Sequence, residues 1–276
     1  MPSPASPRPD RWRPEQYDRF HDERSAPFRA LVALVTRRPD PRVLDLGCGT
    51  GEHTAALHGE LGARITLGID LSAGMLSKAR ARAQAQPQPP GTGSKPHILA
   101  FARADIATFA PALPVDLIFS NAALHWLPDH PALLARLAGF LARGGELAVQ
   151  VPANQHHASH TTAADVAGEE PFRSALGGWR RESPVLSPEA YEQALADAGL
   201  ASACAEECVF EHLLDSRGDV IEWVKGTTLL AYETRLAPEL YARFLARYRE
   251  RLFAVLPDER PFRFAFRRIL FTARRP

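Results

Sequence analysis

The sequence predicts a doubly wound α/β fold, in which a mostly parallel seven-stranded sheet is covered by helices and carries a partly helical cap. Three observations predict it. Short apolar, β-branched runs alternate with helical patterns through the first half of the chain. A glycine-rich turn follows the first of these runs, and an acidic residue ends the second. After Pro152 the pattern turns polar, then returns to strand-like runs near the end.

Arg42–Leu46 reads as a short buried strand, and residues 52–61 as the helix behind it, with Gly62 near its end. Residues 64–70 form a second strand, and Ser72 can cap a helix over Ala73–Ala85. The proline- and glycine-rich stretch 87–96 ends that helix. Residues 98–102, 115–120 and 145–151 are three more strands. A helix over 131–142, closed by Gly144-Gly145, joins the last two. Buried strands joined by helices imply a parallel sheet covered on both faces.

Residues 154–184 read as a polar, histidine-rich connection. A helix over 188–198 ends at Gly199, and residues 202–213 can be a strand. Residues 216–225 and 238–253 look helical, and 262–272 read as the final strand. The late strands complete the sheet, and the segments between them would cap its carboxyl edge, where such sheets bind ligands. The chain then divides into an N-terminal segment covering the site (1–30), a cofactor-binding α/β core (31–152), and the rest of the sheet with cap insertions (153–276).

At 276 residues the chain can bury a full core. Its 33 basic and 32 acidic residues nearly cancel, which removes the electrostatic case for nucleic acid as a partner. No apolar run reaches the ~18 residues that span a bilayer, so no membrane partner is expected. The proline- and arginine-rich residues 1–13 read as neither signal peptide nor anchor. Three cysteines make no disulfide framework, and Cys204 and Cys208 lack a companion pair for zinc. No metal is expected, and the cytoplasm is the expected compartment.

The most informative passage is Asp45-Leu46-Gly47-Cys48-Gly49-Thr50-Gly51, set between a strand and a helix, with Asp70 ending the next strand. Glycines here permit positive φ and close approach of a ligand to backbone. An acid about 20 positions past such a loop suits a ribose diol. Charge selects the nucleoside. The third glycine of a dinucleotide loop would fall where Glu52 stands, and Asp45 adds a second carboxylate. Together they would repel a pyrophosphate by ~1–4 kcal/mol at ~4 Å. A sulfonium and an ammonium would instead be attracted, which points away from hydride transfer.

Val43 to Gly51 resembles the first motif of class I methyltransferases, Gly68-Ile69-Asp70-Leu71-Ser72 their second, and Ala104-Asp105-Ile106 their acidic turn. A closer resemblance is to the trans-aconitate 2-methyltransferases. It runs through Trp12, Tyr17, Phe20, Glu23-Arg24-Ser25 and Pro27, then residues 116–130 and 147–152. It continues through Asn154, His160, Glu222-Trp223-Val224, Arg268 and Ala273-Arg274-Arg275, nearly end to end. The resemblance implies a Rossmann-like sheet and S-adenosyl-L-methionine as cofactor. It implies a methyl ester formed on a small polycarboxylic acid, trans-aconitate foremost.

On this reading Asp45, Gly47, Cys48, Gly49 and Gly51 hold the methionine part of the cofactor, and Asp70 and Leu71 the ribose. Asp105 and Ile106 hold the adenine, while Asn121 touches cofactor and reacting end together. His125 and Trp126 face the reacting end, and Tyr17, Arg24, His160 and Arg268 hold substrate carboxylates. No catalytic base is expected, because a carboxylate with a pKa near ~4 is already ionised. The resemblance also implies an arginine where Leu230 stands, so Arg180 or Arg235 could substitute for it. Two rival readings stay open: methylation of a phenol, amine or thiol with His125 as base, and a non-catalytic cofactor-binding protein.

Several residues have plainer readings. Trp126 and Trp223 could be core aromatics, and Phe244, Tyr248 and Phe253 a packing face. His156, His157 and His160 read as a polar surface loop, and Arg180 and Arg181 as part of a solvated run.

Overall fold

The computed structural model describes residues 21–85 and 96–276, the side chains of residues 21–24 excepted. Seven strands form one sheet: β1 Arg42–Leu46, β2 Ile65–Asp70, β3 Ile98–Arg103, β4 Val115–Asn121, β5 Leu141–Pro152, β6 Ala201–Leu214 and β7 Phe262–Arg274. Their order is β3-β2-β1-β4-β5-β7-β6. The first five strands are parallel, and β7 is antiparallel to both its neighbours. This is the mostly parallel seven-stranded sheet that the alternation of patterns predicts. Ten helices accompany it among the described residues: α1 His21–Leu34, α2 Glu52–Glu60, α3 Ala73–Ala85, α4 His130–Ala138, α5 Ala158–Ala167, α6 Phe172–Ala175, α7 Pro188–Asp197, α8 Arg217–Lys225, α9 Leu230–Glu233 and α10 Pro238–Val255.

Alternation along the strands sorts side chains between two faces. Val43, Leu117, Phe119, Ala148 and Leu270 pack with Phe28, Leu31 and Val32 of α1 and Leu57 of α2. Leu44, Ile118, Leu147 and Val149 pack with Leu134 and Leu137 of α4 and Tyr191 of α7. The period of two then places four polar residues on the α1 face. Asp45 lies two beyond Val43, Asn121 two beyond Phe119, Gln150 two beyond Ala148, and Arg268 two before Leu270.

Beyond the pairing of Pro152 with Arg268, β6 and β7 continue together to Leu214 and Phe262. Leu214, Phe262, Phe264 and Phe266 on this extension pack with Val220 and Trp223 of α8, Tyr232 of α9, and Phe244 and Tyr248 of α10. The cap thus has its own apolar cluster, anchored by strands of the main sheet. Phe244 and Tyr248 are the packing face that their spacing indicates. Helix starts follow local rules. Ser72 accepts the Met75 N–H at 3.2 Å, and Ser216 with Asp219 forms a capping box.

Two expectations need correction. The helix expected over 131–142 stops at Ala138, and Leu141, fully buried, already pairs with Val115. Gly144-Gly145 lies within β5, beside a register shift between Val115 and Leu117. Burial of Leu141 in the sheet outweighs its helical propensity. The supposed polar connection over 154–184 contains α5 and α6. Ala163, Val166 and Ala167 are buried in the cap, and the Tyr248 hydroxyl donates to the Ser159 carbonyl at 2.9 Å.

Candidate active site

The turn from β1 to α2 adopts the backbone its glycines permit. Gly47, Gly49 and Gly51 have φ of 79°, 53° and 73°. The Gly47 and Cys48 N–H groups both donate to the Ile69 carbonyl, at 2.8 and 3.0 Å, and hold the turn against β2. A Cβ on Gly51 would come within 2.7 Å of Ala79 and Phe101, whereas one on Gly49 would meet nothing within 4 Å. The loop is packed from behind at Gly51 and leaves room in front at Gly49.

Asp70 closes this loop. Its Oδ2 accepts the Gly49 N–H at 3.0 Å and its Oδ1 the Ser72 N–H at 2.8 Å. Asp45 is 4% exposed and accepts the Thr54 hydroxyl at 2.5 Å. Burial pushes its carboxyl up to about 7; the Thr54 hydrogen bond opposes the shift, and the negative charge of Asp70 adds to it. A ligand bringing positive charge would relieve that state. Glu52 does not contribute as expected, because it pairs at 3.5 Å with Arg82 of α3. The carboxylates that face the loop are Asp45 and Asp70.

Cys48 is buried, and burial, then the charges of Asp45 and Asp70, push its thiol up, so it stays protonated. Leu71 follows β2 with 55% exposure. Asp105 lies just past β3, where its Oδ1 accepts the Ala107 N–H at 2.8 Å. Arg136 of α4 holds that turn through the carbonyls of Ile106 and Phe109. Since β3, β2, β1 and β4 are adjacent and parallel, these residues and Asn121 all sit along one carboxyl edge.

Past Asn121, Ala122 takes a φ of 55°, a left-handed conformation costing an alanine roughly 1–2 kcal/mol. A 3-10 turn, Leu124–Trp126, follows. His130 secures it. Its Nε2 donates to the Leu124 carbonyl at 3.0 Å, which leaves Nδ1 to accept the Tyr191 hydroxyl at 2.5 Å. The ring centres of His125 and Trp126 are 4.7 Å apart, and Trp126 is 41% exposed, so it stands at a rim rather than in a core.

Around this turn lie buried polar atoms with no hydrogen-bond partner among the described residues. They include Asn121 Oδ1, His125 Nδ1, both amide atoms of Gln150 and Asn154 Nδ2. Each such atom costs about 1–3 kcal/mol, and Asn121 and Gln150 are paired neighbours on β4 and β5. Burial drives His125 down to about 3, aided by the positive charges of Arg181 and Arg268. His160 falls to about 3 through burial, then Arg181 and His157. Burial, then Arg268, takes His212 down to about 4, and its ring stacks on Trp223 at 4.9 Å. Arg268 is 5% exposed, with its guanidinium 4.8 Å from the Phe266 ring centre.

Arg268 thus acts on His125, and Arg181 on both His125 and His160. Tyr17 and the side chain of Arg24 lie outside the described residues. His157 caps α5 by accepting the Ser159 N–H at 3.1 Å, so the histidine-rich stretch is structured rather than a surface loop. Among the described residues, no group of three or more His, Cys, Asp or Glu could hold a metal ion. Trp223 is 5% exposed and belongs to the cap cluster. Arg235 lies 3.9 Å over the Trp179 ring and donates to the Ala231 carbonyl. Arg181 is the residue that sequence reasoning missed. It is half-buried, and its charge reaches His125, His160 and Tyr232, so it is no part of a solvated run. Gln150 was also missed, although a lone glutamine in the run Leu147 to Val151 is a visible signal.

A family model described as a methyltransferase domain matches residues 11–204. A trans-aconitate 2-methyltransferase from Deinococcus radiodurans is 46% identical over 271 residues, covering 96% of this chain and 98% of its own. One from Methylobacterium nodulans is 39% identical, with the same shares covered. Among solved structures, phosphoethanolamine N-methyltransferase 2 of Haemonchus contortus, bound to phosphomonomethylethanolamine and S-adenosylhomocysteine, has a TM-score of 0.53 at 16% identity. That likeness covers 91% of this chain and 53% of the other, and it bears on the fold alone.

Proposed function

Because the chain belongs to the trans-aconitate 2-methyltransferase family, we propose that it forms a methyl ester on one carboxylate of trans-aconitate, with S-adenosyl-L-methionine as methyl donor. The observation that carries this reading is the state of His125. A buried imidazole held down to about 3 beside two arginines is a weak base at neutral pH. An acceptor that must lose a proton would be poorly served there. A carboxylate is already ionised, and Arg181 and Arg268 would attract it.

The residues at the sheet edge fit the cofactor. Asp45, buried and short of positive charge, suits its cationic methionine part, and the open side of Gly49 gives backbone room. Asp70 would hold the ribose while gripping the loop, with Leu71 beside it. Asp105 and Ile106 would flank the adenine, and Cys48, Gly47, Gly51 and Asn121 would complete the wall. The cofactor supplies an electrophilic methyl group on a sulfonium. Asn121, Gln150, His125 and Trp126 would align the carboxylate oxygen opposite the sulfur and exclude water. Transfer would form the carbon–oxygen bond as the methyl carbon leaves sulfur, so these residues would not need to move a proton. Orientation of this kind can supply roughly 7–11 kcal/mol. Residues 1–30 would cover the site, 31–152 hold the cofactor, and 153–276 complete the sheet and hold the substrate. Three free thiols suit a reducing compartment, in keeping with a cytoplasmic enzyme.

The test is a screen of carboxylic acids, phenols and amines with labelled cofactor, followed by identification of the product. A methyl ester of trans-aconitate is expected; label found only on a phenol or amine would reject the reading. The single-turnover rate should stay nearly flat from about pH 6 to 8, and His125→Gln should keep activity within a few fold. A steep rise with pH, lost in that variant, would restore His125 as a base. Asp70→Ala should weaken S-adenosylhomocysteine binding by about 1.5–3 kcal/mol or more, since two backbone donors also lose their acceptor. An unchanged Kd by calorimetry would remove Asp70 from the site.

A further inference from the structure

We propose that His130 and Tyr191 form a buried latch that positions His125 and Trp126 for methyl transfer, so that the pair serves the reaction rather than the stability of the fold. The proposal rests on the reading above that places those two side chains at the reacting end, and it adds the residues that act through them.

The turn after β4 needs holding. It begins at Ala122, with a φ of 55°, and ends at Asp129, with a φ of 52°. An alanine keeps such a left-handed conformation only where its surroundings enforce it. At the near end the Ala122 N–H donates to the Gln150 carbonyl at 2.9 Å. Between the two ends lies the 3-10 turn Leu124–Trp126. Its own bonds run from the Trp126 N–H to the Ala123 carbonyl at 3.2 Å and from the Leu127 N–H to the Leu124 carbonyl at 2.9 Å. Hydrogen-bond geometry in such turns is poorer than in a helix, so the direction of His125 and Trp126 has to be set from outside.

His130 sets it from the far end. It stands at the start of α4, where Asp129 accepts the Ala132 N–H at 3.2 Å and Pro131 fixes the backbone. From this rigid base its ring reaches back to the Leu124 carbonyl, beside His125 in the chain. A carbonyl only accepts, so Nε2 carries the proton. Burial disfavours a second proton, and Nδ1 is left as an acceptor. The Tyr191 hydroxyl donates to it at 2.5 Å. Tyr191, fully buried, stacks on Phe271 of β7 with ring centres 4.4 Å apart. The phenol thus fixes the tautomer and the tilt of the imidazole, and helix α7 sets a turn that lies sixty residues earlier in the chain.

Stability does not require this arrangement. Tyr191 lies in an apolar cluster with Leu134, Leu195 and Phe271, and the Leu124 carbonyl already has the Leu127 N–H as a donor. Replacing both members of a buried hydrogen bond by apolar groups of like shape is close to neutral, whereas removing one strands the other. What the pair adds is direction.

The experiment compares the wild type with Tyr191→Phe and with the double variant His130→Leu, Tyr191→Phe. Melting temperature and S-adenosylhomocysteine binding check the fold, and kcat and KM for trans-aconitate read the reaction. The double variant is expected to melt within a few degrees of wild type. It should bind S-adenosylhomocysteine equally, since the glycine loop is held separately by the Ile69 carbonyl. Its kcat should fall roughly tenfold or more, the scale of an ångström-sized misplacement, with KM within about twofold. Tyr191→Phe keeps the bond to Leu124 and should lose less. The nitrogen-15 spectrum of the imidazole, assigned through the double variant, should show the Nε2–H tautomer alone in the wild type and a mixture in Tyr191→Phe. A proton on Nδ1 in the wild type, or wild-type kcat in the double variant, overturns the latch. A fall in kcat matched by equal losses of melting temperature and cofactor binding also overturns it, because it marks a structural role. Should the wild type methylate no carboxylate, the methylation reading fails by itself. Trp126 fluorescence, taken as the difference from Trp126→Phe in each background, then decides the latch. Altered acrylamide quenching in the double variant supports it; unchanged quenching overturns it.

Discussion

Asp45→Asn is expected to weaken cofactor binding by about a hundredfold or more while stabilising the unliganded protein above neutral pH. The carboxyl is buried and accepts a hydrogen bond from the Thr54 hydroxyl. Its pKa rises from 3.8 to about 7, chiefly through desolvation, with Thr54 opposing and Asp70 adding. The unliganded fold thus favours the protonated acid. Ionisation costs it nothing below about pH 4, and a cost of a few kcal/mol develops as pH rises toward 7 and persists above. Asparagine keeps the shape and can still accept from Thr54, so the variant should melt higher than wild type at pH 8 and match it near pH 4. Cofactor affinity should move the opposite way. A buried cation that loses its carboxylate forfeits about 3–5 kcal/mol, on the order of a hundredfold to a thousandfold in Kd. In the wild type, protons compete with the ligand, so affinity should fall by up to about tenfold per pH unit below the pKa. Calorimetric titration with S-adenosylmethionine between pH 5.5 and 7.5 reads both effects. A pH-independent Kd in the wild type, or wild-type affinity in Asp45→Asn, would show that the carboxylate does not face the cofactor's charge.

What could be read from the sequence was what short-range chemistry determines. The strand at Arg42–Leu46, the Ser72 cap and the positive φ of Gly47, Gly49 and Gly51 follow from neighbours a few residues away. So does the placing of Asp45 and Asp70 at the ends of adjacent strands. Leu141 was misassigned because its strand state depends on Val115, which belongs to a different element. Glu52 looked like a loop charge, but its partner Arg82 stands a whole strand and helix further on. Helix α1 contains Pro27, which removes one helical hydrogen bond and disguises the pattern. In α5 the histidines hid the apolar spacing of Ala163, Val166 and Ala167. Arg181 had no signal at all. It lies in an extended connection without periodicity, and only the folding of the cap over the sheet edge buries it. A turn between one strand and the next helix is local and therefore legible; the proposed substrate cleft, drawn from β4, β7, α5 and a connection, is not.

Gly47→Ala is expected to damage both halves of the site at once, and the remedy should lie in a residue of the other half. Its φ of 79° costs an alanine roughly 1–2 kcal/mol. Its Cβ would stand 2.2 Å from the Cβ of Ala123, so one backbone must move by more than an ångström. Neither has slack. Gly47 is tied to the Ile69 carbonyl, and the turn after Ala123 is tied through Leu124 to His130 and Tyr191. Strain and overpacking together should cost about 2–4 kcal/mol of stability. Cofactor affinity should fall with it, and so should kcat, because His125 and Trp126 move with Ala123. Adding Ala123→Gly removes the clash. The next atoms, Ala123 Cα at 3.6 Å and Ile106 Cδ1 at 3.8 Å, are ordinary contacts. The double variant should therefore recover all but the φ penalty. Gly49→Ala supplies the contrast, with a φ of 53° but nothing within 4 Å of its Cβ. It should melt within a few degrees of wild type yet bind cofactor weakly, since its methyl group enters the space left for the ligand. Thermal melts and calorimetry on the three variants test the coupling. If Ala123→Gly rescues nothing, the two halves are not joined through this contact.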